Sequence, residues 1–488
     1  MIMGKISKKV HKLAWPELPQ EQPEGMLEAF QELTWGRQLS VQDLHILARE
    51  LKAPEEDIIR LADTRVRQGR AQWVPAVKRV AGGWQCQRCG ERDVEEWPGR
   101  QGLAATCPSC SSIGASTSLG VLYRDEGAFA INPGEGTLEP RWALTEAQSL
   151  ASGQVLAFIK NSEPGDALLW AACGAGKTEV CFPAAAWALG QGKSILFAAP
   201  RQDVIHDVAP RLQQDFPYCR MQVLTGAIPD KFQIGGMVLA TTHQILRFWH
   251  AFDVIFLDEM DAFPYRGDRA LAWGLSHALR PGGKILYLTA TPSPEVLKAV
   301  KQRKMRLIRL PARHHRKPVP VPVWVKTSPA PAAGKIAEAW AKIVKNLRQR
   351  GPVLAFVPKI AQVEPWLKDF RRYLPDWRLD GSYSSDPGRA GKMEALRRGD
   401  FDLFLSTTIL ERGITLQGIQ VVILEADHPV FDERALVQMA GRAGRTREEP
   451  EGEALFVAVR MTSAMSTAIR WIEEQNKLAL EMGLIDYH

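Results

Sequence analysis

Residues Cys173-Gly174-Ala175-Gly176-Lys177-Thr178 directly follow the apolar run ALLWAA. A glycine-rich turn between a strand and a helix is the form a phosphate cradle takes. Gly174, Ala175 and Gly176 would let backbone N–H groups approach the phosphates of ATP, Lys177 would reach the β- and γ-phosphates, and Thr178 would hold Mg2+. Ala171 stands where such loops usually begin with glycine, so the match reads AxxGxGKT. Further on, the hydrophobic strand in FDVIFLDEMDAFPY ends in Asp258-Glu259. That places two carboxylates at the sheet edge where the loop also lies. Asp258 is expected to ligate Mg2+, and Glu259 to orient and deprotonate the attacking water. In QMAGRAGR, Arg442 and Arg445 stand three apart on one side of a helix. There they can neutralise charge developing on the γ-phosphate.

A second chemistry is written in CQRC and CPSC. Cys86 and Cys89 form one C-x2-C pair, Cys107 and Cys110 the other, with 17 residues between the pairs. Each pair makes a tight knuckle, and two knuckles complete a tetrahedron of thiolates around Zn2+. Four sulfur ligands leave no open position, so the ion is expected to be structural. Two disulfides are the alternative, and they suit a chain with a secretory signal better than this one.

These residues need a scaffold that brings them together. The runs ALLWAA, SILFAAP, GMVLATT, FDVIFLDE and KILYLTAT are short, apolar on both faces and end at polar residues, as buried parallel strands do. A second series, PVLAFVP, DLFLSTT, QVVILEA and EALFVAV, follows the proline-rich RHHRKPVPVPVWVKTSPAPAAGK. The expected fold is α/β, with two tandem parallel-sheet domains preceded by a helical segment and a four-cysteine ribbon. The boundaries expected are a helical segment over 1–80, the ribbon over 81–125, domain 1 over 126–312, a linker over 313–333, domain 2 over 334–460 and a C-terminal helix over 461–488. In the helical segment Ser40 is the expected N-cap and Pro54 opens the second helix. The C-terminal helix is expected to dock on the two domains.

At 488 residues the chain is too long for one core. Its 62 basic and 55 acidic residues give +7 and a pI near 9.0, compatible with a nucleic-acid partner. The basic N-terminus MIMGKISKKVHKLAW lacks the apolar core of a signal peptide, and no run reaches the length of a membrane span. A cytoplasmic protein is expected, able to sit peripherally at the inner face of a membrane. Most of the 15 tryptophans lie in apolar surroundings and read as core, with Trp84 and Trp97 in the ribbon better placed for surface work.

AxxGxGKT, DExD, TAT and QxxGRxGR, in this order on paired α/β domains, resemble superfamily 2 helicases and translocases, whose domains are RecA-like. The resemblance implies that Gln148 contacts adenine and that Thr289 and Thr291 couple hydrolysis to domain movement. It implies that Pro200, Arg201, Thr225, Gly226, Thr241 and Thr242 grip a nucleic-acid backbone from domain 1, with Thr407 and Arg412-Gly413 doing so from domain 2. Met439 replaces the first arginine of HRxGRxGR and Thr415 the aspartate of RGxD, which point away from RNA remodelling and toward DNA translocases. The ribbon ahead of the motor and the sequence DEMDAFPY are similar to the ComFA family of competence ATPases. That likeness implies transport of single-stranded DNA, and as partners an inner-membrane DNA-uptake channel and a phosphoribosyltransferase-like competence protein. Two alternatives stand beside it. PriA-like restart helicases carry their cysteines after the motor's second domain, unlike Cys110, which precedes Lys177. A scaffold with a decayed motor would be expected to have lost one of Lys177, Asp258, Glu259, Arg442 or Arg445.

Overall fold

The computed structural model describes residues 25–100, 102–226, 232, 235–259, 268–328, 338–410, 416–446 and 449–486. Arg412, Gly413, Thr415 and the MDAFPY portion of DEMDAFPY lie outside the described residues.

Two parallel sheets carry the fold. The first has seven strands, in the order Met221–Leu224, Met237–Thr241, Ile195–Ala199, Phe252–Asp258, Leu279–Thr289, Gly165–Ala171 and Met305–Leu310. The second has six, in the order Val323–Lys326, Ala454–Ala458, Gln420–Leu424, Val353–Phe356, Leu403–Ser406 and Leu379–Ser382. Ile195–Ala199, Met237–Thr241, Val353–Phe356 and Gln420–Leu424 are buried at every residue, as strands covered by helices on both faces must be. Because every pairing within each sheet is parallel, the C-terminal strand ends share one edge, and the loops that carry chemistry leave from that edge.

The proline-rich segment does more than link. Between Pro322 and Pro329 it has a proline-free run, Val323–Lys326, which pairs with Ala454–Ala458 as an edge strand of the second sheet. The C-terminal helix Ser463–Glu481, N-capped by Thr462, lies against helix Glu433–Ala440 and buries Met465, Ala468, Ile472 and Ala479 in the core that runs between the two sheets.

Ahead of the motor, helices Met26–Thr34, Val41–Glu50 and Glu55–Arg67 accompany an antiparallel sheet of Gln38–Ser40, Val121–Asp125 and Ala71–Pro75. Ser40 caps its helix through a capping box with Asp43, and Pro54 immediately precedes Glu55–Arg67. The buried Asp125 receives Arg65 at 3.2 Å and the Tyr123 hydroxyl at 2.8 Å. Since Ala71–Pro75 and Val121–Asp125 pair with each other, the cysteine ribbon between them is an excursion from this small sheet. All three parts meet at Asp43, which receives Arg88 of the ribbon at 3.7 Å and Arg247 of the first motor domain at 3.0 Å.

Candidate nucleotide cleft and cysteine cluster

The phosphate-loop candidate leaves strand Gly165–Ala171 and is tied to the neighbouring strand by the Ala172 N–H donating to Leu310 O at 2.8 Å. Gly174 and Gly176 have φ of 79° and 78°, left-handed values that cost glycine nothing. Gly176 is also required by space, because a Cβ there would stand 2.4 Å from Gln148 Nε2. Lys177 Nζ lies 3.2 Å from Asp258 Oδ1. Burial opposes the lysine's charge, but Asp258 and Glu259 outweigh it and hold its pKa above the ordinary value. Asp258 is itself pushed up by burial, against the pull of Lys177. Thr178 is buried beside them.

Glu259 takes φ of 54°, an uncommon conformation for a non-glycine residue. Its N–H is held by Asp258 Oδ1 at 2.8 Å and by Leu288 O at 3.0 Å, so the strained carboxylate position is fixed by its surroundings.

The arginine turn of the second domain lies directly on this loop. A Cβ at Gly441 would stand 2.4 Å from Cys173 Cβ, and one at Gly174 would stand 3.1 Å from Arg445 Cγ. Arg442 is 3% exposed, and burial with Arg445 alongside brings its pKa down to about 9. Gln438 Nε2 donates to Thr291 Oγ1 at 3.4 Å, and the Thr291 N–H donates to Thr289 Oγ1 at 2.9 Å. The residues expected to couple hydrolysis to movement therefore touch the second domain. The phosphate loop, Asp258, Glu259, Gln438, Arg442 and Arg445 line one cleft between the domains.

Gln148 is engaged twice. Its Oε1 accepts from Thr145 N–H at 3.0 Å in a capping box, and its Nε2 donates to Ala175 O at 3.0 Å. In this arrangement it braces the phosphate loop. Pro200 and Arg201, Thr225 and Gly226, and Thr241 and Thr242 lie at the C-terminal ends of three adjacent strands of the first sheet. Arg201 is paired with Asp203 at 3.7 Å. Thr407 follows Leu403–Ser406 at the matching edge of the second sheet.

The four cysteines of the ribbon converge. Cys86 ends the hairpin of Val77–Val80 and Gly83–Cys86, paired with Val77, and Cys107 ends strand Gly102–Cys107 ahead of the turn that holds Cys110. All four sulfurs lie within 4.8 Å of one another and are buried, with Cys86–Cys110 at 3.7 Å and Cys89–Cys107 at 3.5 Å. Tetrahedral Zn–S bonds of about 2.3 Å require sulfurs about 3.8 Å apart, so the cluster has the dimensions of a zinc site. The ribbon rests on the motor: Leu246, Ala270 and Leu271 share its core, and a Cβ at Gly90 would enter the ring of Trp273.

Two features of the cleft carry no motif. Arg211 pairs with Glu179 at 2.5 Å on its wall, and Arg313, three residues beyond strand Met305–Leu310, donates to Cys173 O of the loop at 2.8 Å. A cation three residues beyond a buried strand was the available signal for Arg313, obscured by the prolines that follow.

Comparison with known proteins places this geometry. Residues 141–294 match the family described as type III restriction enzyme, res subunit, and residues 335–447 match the helicase conserved C-terminal domain. Competence protein ComFA of Bacillus subtilis is 32% identical over 463 residues, covering 92% of this chain and 97% of the relative. The chain belongs to the ComFA family. Competence protein ComFA of Streptococcus pneumoniae is also 32% identical, covering 84% of this chain and 94% of the relative. Among solved structures, Mycobacterium smegmatis helicase Lhr bound to single-stranded DNA and AMP-PNP superposes with a TM-score of 0.53 at 18% identity, covering 68% of this chain and 48% of that one. That likeness speaks to the fold. The paired domains are therefore RecA-like and of the superfamily 2 helicase type, which implies ATP with Mg2+ and binding of DNA.

Proposed function

We propose that this ComFA-family chain is a DNA-dependent ATPase that moves single-stranded DNA during competence, driving its uptake. The observation that carries the reading is the contact between the two domains at the nucleotide cleft. Gly441 and Arg445 lie on the phosphate loop, and Gln438 reaches Thr291. Nucleotide held there touches both domains, so its hydrolysis changes how firmly they close. The relatives named for competence match nearly the whole chain, ribbon included, which supports the biological setting.

In this reading Lys177 leaves Asp258 for the β- and γ-phosphates as ATP enters, and the N–H groups of Gly174 to Thr178 cradle them. Thr178 and Asp258 would hold Mg2+, which neutralises phosphate charge. Glu259 orients a water and takes its proton, and Arg442 and Arg445 meet the charge that develops on the γ-phosphate. Pro200, Arg201, Thr225, Gly226, Thr241 and Thr242 grip the DNA backbone from domain 1, and Thr407 and Arg412 from domain 2. Alternate grip by domains that open and close gives directional steps. Contact with phosphates instead of base edges makes the steps independent of sequence. Zn2+ at Cys86, Cys89, Cys107 and Cys110 would hold the ribbon against the motor. Among the described residues no helix is long and apolar enough to cross a membrane. Delivery through a membrane therefore calls on partners, an inner-membrane channel and a phosphoribosyltransferase-like competence protein, with this chain at the inner face.

The test is displacement of streptavidin from single-stranded DNA biotinylated at one end or the other. ATP-dependent displacement from one end only is expected, lost in Lys177→Ala. DNA-stimulated ATP hydrolysis with no displacement from either end would refute translocation.

A further inference from the structure

Strand Met305–Leu310 lies beside the phosphate-loop strand with Leu310 opposite Ala171. Three residues further on, Arg313 is buried at 1% exposure. Its Nε donates to Cys173 O at 2.8 Å, in the phosphate loop. Its Nη1 donates to Ala443 O at 2.8 Å and Gly444 O at 2.6 Å, and its Nη2 to Gly441 O at 2.9 Å. One guanidinium thus joins the loop of the first domain to the turn that carries Arg442 and Arg445. Among the described residues Arg313 forms no ion pair; four carbonyl dipoles hold its charge. Three of them follow the C-terminal end of helix Glu433–Ala440, where the helix dipole favours a cation.

The segment bearing Arg313 is itself pinned. Val319 exchanges two hydrogen bonds with the Asn476 amide, at 2.9 and 2.8 Å, and Arg316 donates to Gly483 O at 2.9 Å. Asn476 belongs to helix Ser463–Glu481, which lies against helix Glu433–Ala440. The C-terminal helix and the arginine turn therefore fix the same stretch of chain from two sides.

We propose that Arg313 is a positioning residue that holds the turn Gly441 to Arg445 in register with the phosphate loop, so that Arg442 and Arg445 reach the γ-phosphate. It rests on the ATPase reading above for what those arginines do once placed. Because Arg313 uses a carbonyl of Cys173, it leaves the loop's N–H groups available to phosphate. Only a planar guanidinium can serve four acceptors spread over two domains; a lysine ammonium keeps the charge but converges its donors on one atom.

The test uses the full chain with Arg313→Ala and Arg313→Lys, and two readouts. The first needs no nucleotide. Cys173 Sγ lies 3.7 Å from Gln438 Oε1, and since cysteine reaches less far than glutamine, a Gln438→Cys background is bridged across the cleft with the thiol cross-linker dibromobimane, the linked peptides identified by mass spectrometry. Both Arg313 substitutions are expected to slow that cross-link about tenfold, a modest shift in the closed population. Cross-linking at the parent rate would overturn the proposal, whatever the enzyme's activity. The second readout is ATP turnover with Gln438 intact. The kcat is expected to fall about 100-fold, the loss typical of catalytic groups misplaced by about 1 Å, with affinity for a fluorescent ATP analogue within about threefold of the parent. Arg313→Ala combined with Arg445→Ala is expected to cost clearly less than the product of the two single losses, since part of the Arg313 effect acts through Arg445; fully multiplicative losses would mark Arg313 as merely structural. A parent chain without ATPase activity would defeat the proposed function, while the cross-linking rate would still decide the role of Arg313.

Discussion

Gly441 offers a sharp perturbation, because the space it leaves open is the space through which the domains meet. In Gly441→Ala the new methyl would stand 2.4 Å from Cys173 Cβ and 2.9 Å from Cys173 Sγ. Carbon atoms in contact rest about 3.5–4.0 Å apart, so the arginine turn and the phosphate loop must separate by about 1.1–1.6 Å. A displacement of about 1 Å at reacting groups costs on the order of 100-fold in rate. ATP itself is held chiefly by the first domain, so its affinity should change by less than about threefold while kcat falls about 100-fold. The assay is steady-state ATP hydrolysis at saturating single-stranded DNA, with affinity measured separately by a fluorescent analogue. The geometry also specifies a rescue. Cys173→Gly removes the Cβ and the sulfur that the methyl meets, so the double variant should recover at least about tenfold over Gly441→Ala, with Cys173→Gly alone as its reference. Wild-type turnover in Gly441→Ala would refute the reasoning. So would a double variant no faster than the single one, or a thermal midpoint so lowered that misfolding accounts for the loss.

Other predictions follow the same geometry. Lys177→Ala should abolish ATP hydrolysis while DNA binding, measured by fluorescence anisotropy, stays within about threefold, because the residues proposed to grip DNA lie elsewhere on the sheet edge. Arg445→Ala should bind the ATP analogue normally yet lose about 1,000-fold in turnover, the lower end of what an arginine finger contributes; near-normal turnover would remove it from the site. Cys86→Ser should lose stoichiometric zinc by metal analysis, and because Leu246, Ala270 and Leu271 share the ribbon's core, thermal unfolding of the motor should begin several degrees lower. An unchanged metal content would dismiss the cysteine site.

Much of the architecture could be read in the sequence because parallel strands covered on both faces are locally encoded. ILFAA, MVLAT and QVVIL are apolar at nearly every position, and each is a strand of the structure. The cysteine pairs were equally plain, since a two-residue spacing fixes a knuckle without help from distant residues. What escaped was what depends on distant partners. Arg313 meets Gly441 across 128 residues of sequence and sits among prolines that read as a linker. Val323–Lys326 becomes a strand only because Ala454–Ala458 offers it an edge. Gln148 was legible as a nucleotide contact by resemblance, whereas its brace on Ala175 follows from the helix start at Thr145 meeting the loop in space. The ribbon's docking on Trp273 likewise has no local signature.

The most direct measurement is ATP hydrolysis by the purified full chain with no polymer, single-stranded DNA, double-stranded DNA or RNA, with Lys177→Ala alongside. A DNA-driven motor should show at least about tenfold stimulation by single-stranded DNA, less by duplex and RNA, and none in the variant. Equal or stronger stimulation by RNA, or turnover that no polymer changes, would contradict a single-stranded DNA translocase.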